Sequence, residues 1–144
     1  FFFFSYSHSA GSFITFDKKS RVLFSSDLFG SYTPKQGLFI RLDKYCEKCS
    51  YSNPCPVNRG DYCLVPDIIK FHQRIMTSNK ALKYALNVIK SFPVKLIAPQ
   101  HGAIIYHDED IAYIINLLYN LKNIGIDGIN IEAVLESNYQ DFQI

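Results

Sequence analysis

A β-hairpin is the feature that most constrains the fold of this chain. Two apolar-rich segments, Ser12–Phe16 and Val22–Ser25, flank the polar stretch Asp17–Ser20. Short apolar segments on either side of a polar turn are typical of two antiparallel strands. His8 lies just before the first strand and Asp27 just after the second. The hairpin therefore predicts that these two side chains meet at one end of the sheet.

An imidazole and a carboxylate at one strand edge favour either a metal site or an acid–base pair. A third residue of this type is His101, which follows the apolar, strand-like segment Val94–Ala98. It lies in a Pro-Gln-His-Gly sequence, and its neighbouring proline and glycine favour a tight loop at the strand end. His8, Asp27 and His101 are therefore the candidate site residues.

Each of these residues, and each remaining histidine, also has a plain structural interpretation. His8 fits an ordinary loop histidine, and Asp27 fits a turn-capping residue, because Asp is common in turns. His72 lies in a predicted amphipathic helix, which indicates a packing or surface role rather than metal binding. His107 precedes an acidic helix start and can interact with it.

Three motifs in this order resemble the C-terminal half of a metallo-β-lactamase-fold domain. They are His8-Ser9-Ala10-Gly11-Ser12, Ser25-Ser26-Asp27-Leu28-Phe29-Gly30 and Ala98-Pro99-Gln100-His101-Gly102. The first motif is common to that superfamily. The other two, with a long helical insertion between them, are most similar to its oxygen-binding di-iron and flavodiiron branch. The resemblance extends roughly from Phe1 to Leu121.

The resemblance implies a domain that binds, senses or reduces O₂ or NO at a dinuclear site. His8 would bind the first metal, His101 the second, and Asp27 would bridge both. Two cations about 3.5–4 Å apart need such a bridge to offset their repulsion. Two iron ions are implied, with two zinc ions as the alternative, because mixed imidazole and carboxylate ligation suits both metals. Whether the protein is an enzyme, of flavodiiron oxidoreductase or metallo-hydrolase type, stays open.

The implied fold is α/β, an αββα sandwich of which residues 1–144 supply only the C-terminal half. This half would be a mixed sheet with flanking helices. The family's first metal-binding motif, a cluster of histidines and acidic residues, has no match in the sequence. Phe1–Tyr6 is predicted to be a strand buried on both faces, because apolar–polar alternation is missing. Its four phenylalanines, Phe1–Phe4, indicate an interior strand with partners upstream. Half a ligand set predicts weak metal binding by this chain alone.

The remaining elements follow from helical spacing and helix-ending residues. Apolar positions predict helices over residues 65–76 and 79–92, the second capped by Ser78 and stopped by Pro93. Asp108-Glu109-Asp110 begins a third helix that extends to about residue 123, because acidic residues favour helix N-termini. Residues 129–144 are predicted to form a tail. The alternation of strands and helices favours the α/β or α+β class.

All four cysteines lie in a predicted Cys-rich insertion, residues 38–63. They are Cys46, Cys49, Cys55 and Cys63. Four thiolates can form a structural zinc site, for which the CxxC pair is a favoured element. The alternative is free thiols packed in the insertion. Disulfides are disfavoured without an export signal, and no helix start follows the CxxC to stabilise a redox thiolate.

Composition limits the classes of partner. The net charge of +2 and the scattered lysines do not favour nucleic acid. No apolar run approaches the ~20 residues of a membrane span, and the absence of a signal peptide predicts a cytoplasmic location. A hydrophobic fraction of 48% is enough for a packed core. The expected partners are O₂ or NO, an electron-donor protein, the N-terminal half of the same domain and a second copy in a homodimer.

Three functions therefore compete. The first is a di-iron domain that binds, senses or reduces O₂ or NO. The absence of a flavodoxin-like domain after His101 favours a stand-alone oxygen-binding protein over a flavodiiron reductase. The second is a dinuclear zinc hydrolase that uses a metal-bound hydroxide. The third is a non-catalytic sensory or interaction module with a structural Cys-zinc loop.

Overall fold

A computed structural model describes residues 1–32, 37–42, 46 and 63–130 of the chain. Its centre is a four-stranded sheet in the order β1-β2-β3-β4. The strands are β1 (Phe2–Phe4), β2 (Phe13–Asp17), β3 (Val22–Phe24) and β4 (Leu96–Ala98). The first three pair antiparallel, whereas β4 pairs parallel with β3. The mixed sheet with flanking helices is the predicted α/β fold.

The predicted hairpin is confirmed as β2 and β3. The Asp17 carboxylate accepts hydrogen bonds from the backbone amides of Lys19 and Ser20, each at 3.2 Å. These bonds, together with one from the Ser20 hydroxyl, lower the pKa of Asp17, the hydroxyl having the largest effect. In the parallel pair, Phe24 lies opposite Ala98. The segments that leave β3 and β4 therefore emerge at the same end of the sheet.

In the part of the chain that the structure describes, three α-helices lie beside the sheet. They are α1 (Val65–Ile75), α2 (Asn79–Ile89) and α3 (Asp108–Asn120). The Ser78 hydroxyl accepts a hydrogen bond from the Ala81 amide at 3.2 Å, so the predicted cap of α2 is confirmed. Helix α2 is shorter than predicted, because tighter turn bonds replace helical ones before Pro93 is reached. Among the described residues, no helix is both long enough and apolar enough to span a bilayer.

One hydrophobic core joins the inner face of the sheet to the helices. Ile14, Leu23 and Ile97, from three adjacent strands, have no exposed surface. They meet fully buried helix residues, namely Leu82, Ala85, Leu86, Ile114 and Leu118. Each large apolar side chain buried in this way contributes roughly 1.5–3 kcal/mol to stability.

The opposite face of the sheet is aromatic and exposed. Phe2, Phe4, Phe13 and Phe24 form an outer aromatic face, in which each side chain is 47–64% exposed. Adjacent rings meet edge to face, as between Phe2 and Phe13 with centroids 6.4 Å apart. The prediction that the Phe1–Tyr6 strand is buried on both faces is therefore wrong for this chain, in which the strand itself extends over Phe2–Phe4. These residues do form a strand, but β1 is at the sheet edge and no described residue covers its outer side.

Much of the predicted Cys-rich insertion, residues 38–63, lies outside the described residues. Cys49 and Cys55 are among the residues left out, as is the tail from residue 131. Cys46 and Cys63 are described, and both are buried.

Candidate metal centre

The three predicted ligands meet at one rim of the sheet. The Oδ1 atom of Asp27 lies 2.7 Å from Nδ1 of His101. Its Oδ2 atom lies 3.5 Å from Nε2 of His8. The carboxylate thus stands between two imidazoles, with one oxygen near each. The contact between Asp27 and His101 joins residues 74 positions apart in sequence, and the arrangement is the convergence that the hairpin and the second strand end predict.

The Asp27 turn, residues 25–31, is held by its own hydrogen bonds. The Ser25 hydroxyl donates to the Leu28 carbonyl at 2.6 Å, and the Gly30 amide donates to the Asp27 carbonyl at 3.0 Å. Ser25 is fully buried, so its hydroxyl is used to close the turn rather than to face solvent. The turn follows directly after β3, which sets the position of the carboxylate relative to the sheet.

Backbone hydrogen bonds join the Asp27 turn to the His101 loop, residues 98–102. They run from the amides of Ser25, Gln100 and Ser31 to the carbonyls of Ala98, Ser26 and His101, at 3.2, 2.7 and 3.1 Å respectively. The two segments are therefore fixed to one another through their main chains. The separation of the carboxylate and the imidazole depends on this backbone frame as well as on side-chain rotamers.

Gly30 lies where the turn and the loop touch. A Cβ atom at this position would be 2.7 Å from the carbonyl oxygen of His101 and 2.9 Å from that of Asp27. It would also be 3.0 Å from the Phe71 ring of α1. Real Cβ atoms do not approach backbone so closely, so close packing requires glycine here.

His8 is presented by a loop rich in serine between β1 and β2. The hydroxyls of Ser5 and Ser12 are 2.9 Å apart, and the Ser7 carbonyl accepts a hydrogen bond from the Thr77 amide at 2.8 Å. These bonds tie the loop to the start of β2 and to the segment between α1 and α2. Gly11, in the same loop, has no positive φ and has open space around it.

His72 of α1 lies behind the Asp27 turn with no exposed surface. Its Nε2 atom accepts a hydrogen bond from the Phe29 amide at 2.9 Å, and its Nδ1 atom lies 2.7 Å from the Ile68 carbonyl. Because an amide only donates, Nε2 is the acceptor and the proton is on Nδ1. Burial lowers the pKa of His72 to about 4, although the Ile68 bond and the Asp27 charge oppose this shift.

Of the packing and surface roles predicted for His72, the structure shows packing, but its contact with the site could not be found from sequence. The Phe29 bond spans 43 positions, and no local pattern reports it. His107 does not join the site. It precedes α3, and its ring centroid is 4.1 Å from that of Tyr106.

A cavity of about 270 Å³ adjoins the three converging residues. Its opposite wall is made by Tyr32, Phe71 and Ile75, with the Tyr32 and Phe71 ring centroids 4.7 Å apart. His8 and His101 are exposed along this cavity, whereas the Asp27 side chain is mostly buried. The space is suited to a small ligand that has polar groups on one side and aromatic rings on the other.

The donor set fits two metal ions better than one ion held by all three residues. Each carboxylate oxygen is near a different imidazole, so each side offers one oxygen and one nitrogen. Within the residues that the structure describes, no three His, Cys, Asp or Glu side chains form a metal-binding group. One carboxylate also leaves most of the charge of two divalent ions unbalanced. Further acidic ligands are therefore needed to complete such a site.

Comparison with known proteins agrees with the fold. A family model described as "ODP family beta lactamase" matches residues 1–102. A structure of a peroxy diiron species of the chemotaxis sensor ODP is 31% identical, with a TM-score of 0.65. The match covers 88% of this chain and 44% of that chain. The apo state of the chemotaxis sensor ODP from T. denticola is 30% identical, with a TM-score of 0.64 and the same coverage.

A more distant structure has the same fold. The flavodiiron protein from Giardia intestinalis is 18% identical, with a TM-score of 0.59, over 81% of this chain and 25% of that chain. No curated protein matches the chain. The chain thus spans less than half the length of the sensor structures that it matches.

Proposed function

The chain belongs to the ODP family of beta-lactamases, and from this premise we propose that it forms part of a di-iron domain that binds or senses O₂ or NO. The position of the Asp27 carboxylate between His8 and His101 is the observation that supports the proposal most strongly. The similarity to a chemotaxis sensor at 31% identity favours sensing. The flavodiiron structure, at 18%, indicates the fold but not reduction of a substrate.

Each of the three residues has a distinct role in this proposal. His8 and Asp27 would hold one iron, and Asp27 and His101 the other. When bound, the two irons would supply a redox-active centre to which a diatomic ligand can bind. The backbone bonds between the turn and the His101 loop set the separation of the ligands. The wall of Tyr32, Phe71 and Ile75 shields one side of the cavity from water.

We propose the N-terminal half of the same domain as a partner, so that residues 1–144 are one part of a domain. The outer aromatic face is apolar and exposed, which is typical of a surface that another element covers. The site also needs acidic ligands beyond Asp27. A second sheet packed on this face would bury the phenylalanines and bring such ligands to the same rim. A homodimer through the same face is the competing arrangement.

Iron binding by the chain tests the proposed site. Under anaerobic equilibrium dialysis with Fe²⁺, we expect weak binding by the wild-type chain, because three ligands cannot fill two coordination spheres. Asp27→Asn removes the bridging charge and should weaken binding by about tenfold or more. Glu109→Gln, an exposed carboxylate at the start of α3, is the matched control and should bind like the wild type.

Metal identity and ligand uptake separate the proposal from the zinc hydrolase alternative. An absorption change when O₂ or NO is added to the iron-loaded protein would support the proposal. Two tightly bound zinc ions per chain with esterase activity would contradict it, as would equal iron binding by wild type and Asp27→Asn. The interaction-module alternative depends on Cys49 and Cys55, which lie outside the described residues. It would be favoured if Cys46→Ser abolished partner binding while His101→Ala did not.

A further inference from the structure

His72 contacts the candidate site through the backbone of the Asp27 turn, at the Phe29 amide. We propose that His72 is a positioning residue: by accepting the hydrogen bond of the Phe29 amide, it fixes the turn that presents the Asp27 carboxylate to His8 and His101. This inference rests on the proposed function for its metal-binding consequence. Its structural claim, that one imidazole holds the turn in place, can be tested without any metal.

The turn needs an external support because its backbone is strained. Ser26 and Phe29 have φ values of 53° and 71°, and neither residue is glycine. Side chains at positive φ crowd the backbone, and such conformations persist only where surrounding contacts enforce them. Ser26 directly precedes Asp27 in sequence, and Phe29 lies two positions after it. Relaxation of either residue would rotate the peptide units on both sides of Asp27 and move its carboxylate.

The support that His72 gives is rigid. Its Nδ1–H donates to the carbonyl of Ile68, one turn earlier in the same helix, and this bond orients the ring. Helix α1 is itself anchored in the core by Val65, Ile68 and Phe71, each at most 3% exposed. The Nε2 acceptor is therefore held by a helix rather than by a loop. The Phe71 ring of the same helix lies beside Gly30 of the turn, 3.0 Å from the position that a Cβ atom would take there.

Histidine is needed here for its acceptor and not only for its volume. Phe29 is 1% exposed, so its amide cannot gain a water molecule in exchange for the imidazole. An apolar residue of similar size would fill the space and leave this donor unsatisfied, which is a costly state for a buried amide. Both ring nitrogens of His72 already bond to the main chain. Its role is thus to hold the turn and not to bind a metal.

Two substitutions separate the acceptor from the rest of the side chain. In His72→Gln, the amide oxygen can occupy the place of Nε2 and still accept from Phe29. In His72→Asn, the shorter amide can replace Nδ1–H toward Ile68 but cannot reach Phe29. Hydrogen exchange of the metal-free chain provides the first measurement. The reporter amides are those of Gly30, Ser31 and Gln100, and the sheet amides of Ile97 and Ile105, which bond to each other's carbonyls, are the internal control.

We expect His72→Asn to speed exchange of the reporter amides by about tenfold or more, with little change at Ile97 and Ile105. His72→Gln should stay near the wild type. The second measurement is Co²⁺ binding, followed by its visible absorption. The dissociation constant should rise by about 10–100-fold in His72→Asn and recover in His72→Gln, as expected for a group that orients a ligand.

The outcomes are distinguishable. Faster exchange throughout the chain in His72→Asn, or no recovery in His72→Gln, would overturn the inference and leave His72 as an ordinary core residue. Reporter amides that exchange at the wild-type rate in His72→Asn would also overturn it. If the wild type binds no Co²⁺ while the selective exchange effect is present, the proposed metal site fails, but the role of His72 in fixing the turn is supported.

Discussion

His72 shows how one residue can link the stability of this fold to pH. The side chain is neutral in the fold because burial disfavours its charged form. An unfolded chain would expose it, and its pKa would return to the ordinary value of 6.5. Below that pH the unfolded state binds a proton that the folded state does not accept until about pH 4. Folding is therefore opposed by acid through this single group.

We predict that the contribution of His72 to stability is complete above pH 6.5 and is lost as the pH falls toward 4. Across that interval, the free energy of unfolding should fall by about 1.4 kcal/mol per pH unit. Urea denaturation at pH 7 and pH 5 would measure it. His72→Gln, which has no titrating ring, is the control. Between pH 7 and pH 5, its unfolding free energy should fall by roughly 2 kcal/mol less than that of the wild type. Equal losses in both proteins would contradict the prediction.

At the residue scale, the sequence predicts which side chains converge but not what supports them. The convergence of His8, Asp27 and His101 is predictable, because each residue follows or precedes a strand at one end of the sheet, and the side chains do converge. The part that His72 plays was missed, because a buried hydrogen bond to a distant backbone amide leaves no periodic or spacing pattern. The requirement for glycine at position 30 also leaves no sequence pattern, because it comes from packing against residues far away in the chain.

At the scale of elements, the site depends on how a turn and a loop fit together. The hairpin was predictable because its polar turn and apolar strands are local features. Helix α1 and the Ser78 cap were predictable for the same reason. The fit of the Asp27 turn against the His101 loop was not, since it arises from the parallel pairing of β3 with a strand far along the chain.

We predict that Gly30→Ala disturbs this fit. The new methyl group would meet two backbone carbonyl oxygens, which cannot move aside as a flexible side chain can. Overpacking of this kind costs about 1–3 kcal/mol of unfolding free energy, and it should also separate Asp27 from His101. Chemical denaturation would measure the first effect, and iron binding the second.

Gly11→Ala is the matched control for this change, because a Cβ there would have nothing within 4 Å. It lies in the loop that follows His8, so it tests whether any added methyl group near the site is harmful. Equal destabilisation by the two substitutions would show that the crowding at Gly30 has no special effect.

At the scale of the whole molecule, the two faces of the sheet have different environments. The inner face packs on the helices, while the outer aromatic face has no cover among the described residues. The unbroken apolar run of β1 predicts burial on both faces, but the run does not specify which residues would cover the outer face. This is why a strand was predicted correctly there and its burial was not.

We predict that matched Phe→Ala substitutions on the two faces of the sheet lower the unfolding free energy by different amounts. Phe16→Ala on the inner face, where Phe16 is 2% exposed and packs on Phe92, should cost about 3–5 kcal/mol. Phe24→Ala on the outer face should change stability by less than about 0.5 kcal/mol in this chain alone. Urea denaturation measures both.

The same Phe24→Ala substitution should become costly once the N-terminal half is present, because the side chain would then be buried. A small effect in the combined protein would contradict the proposed packing of a second sheet on this face. A large effect in this chain alone at high concentration, lost on dilution, would instead favour the homodimer.

The parallel pairing of β3 with β4 also determines when His101 can join Asp27 during synthesis and folding. A polypeptide emerging from the ribosome contains His8 and Asp27 long before His101 is synthesised. The carboxylate gains its second imidazole only after a long loop closes, and such closure is among the slower steps of folding. Iron binding at the proposed site should accordingly follow the synthesis of β4 and the His101 loop, so a fragment that ends before β4 should bind iron more weakly than the whole chain.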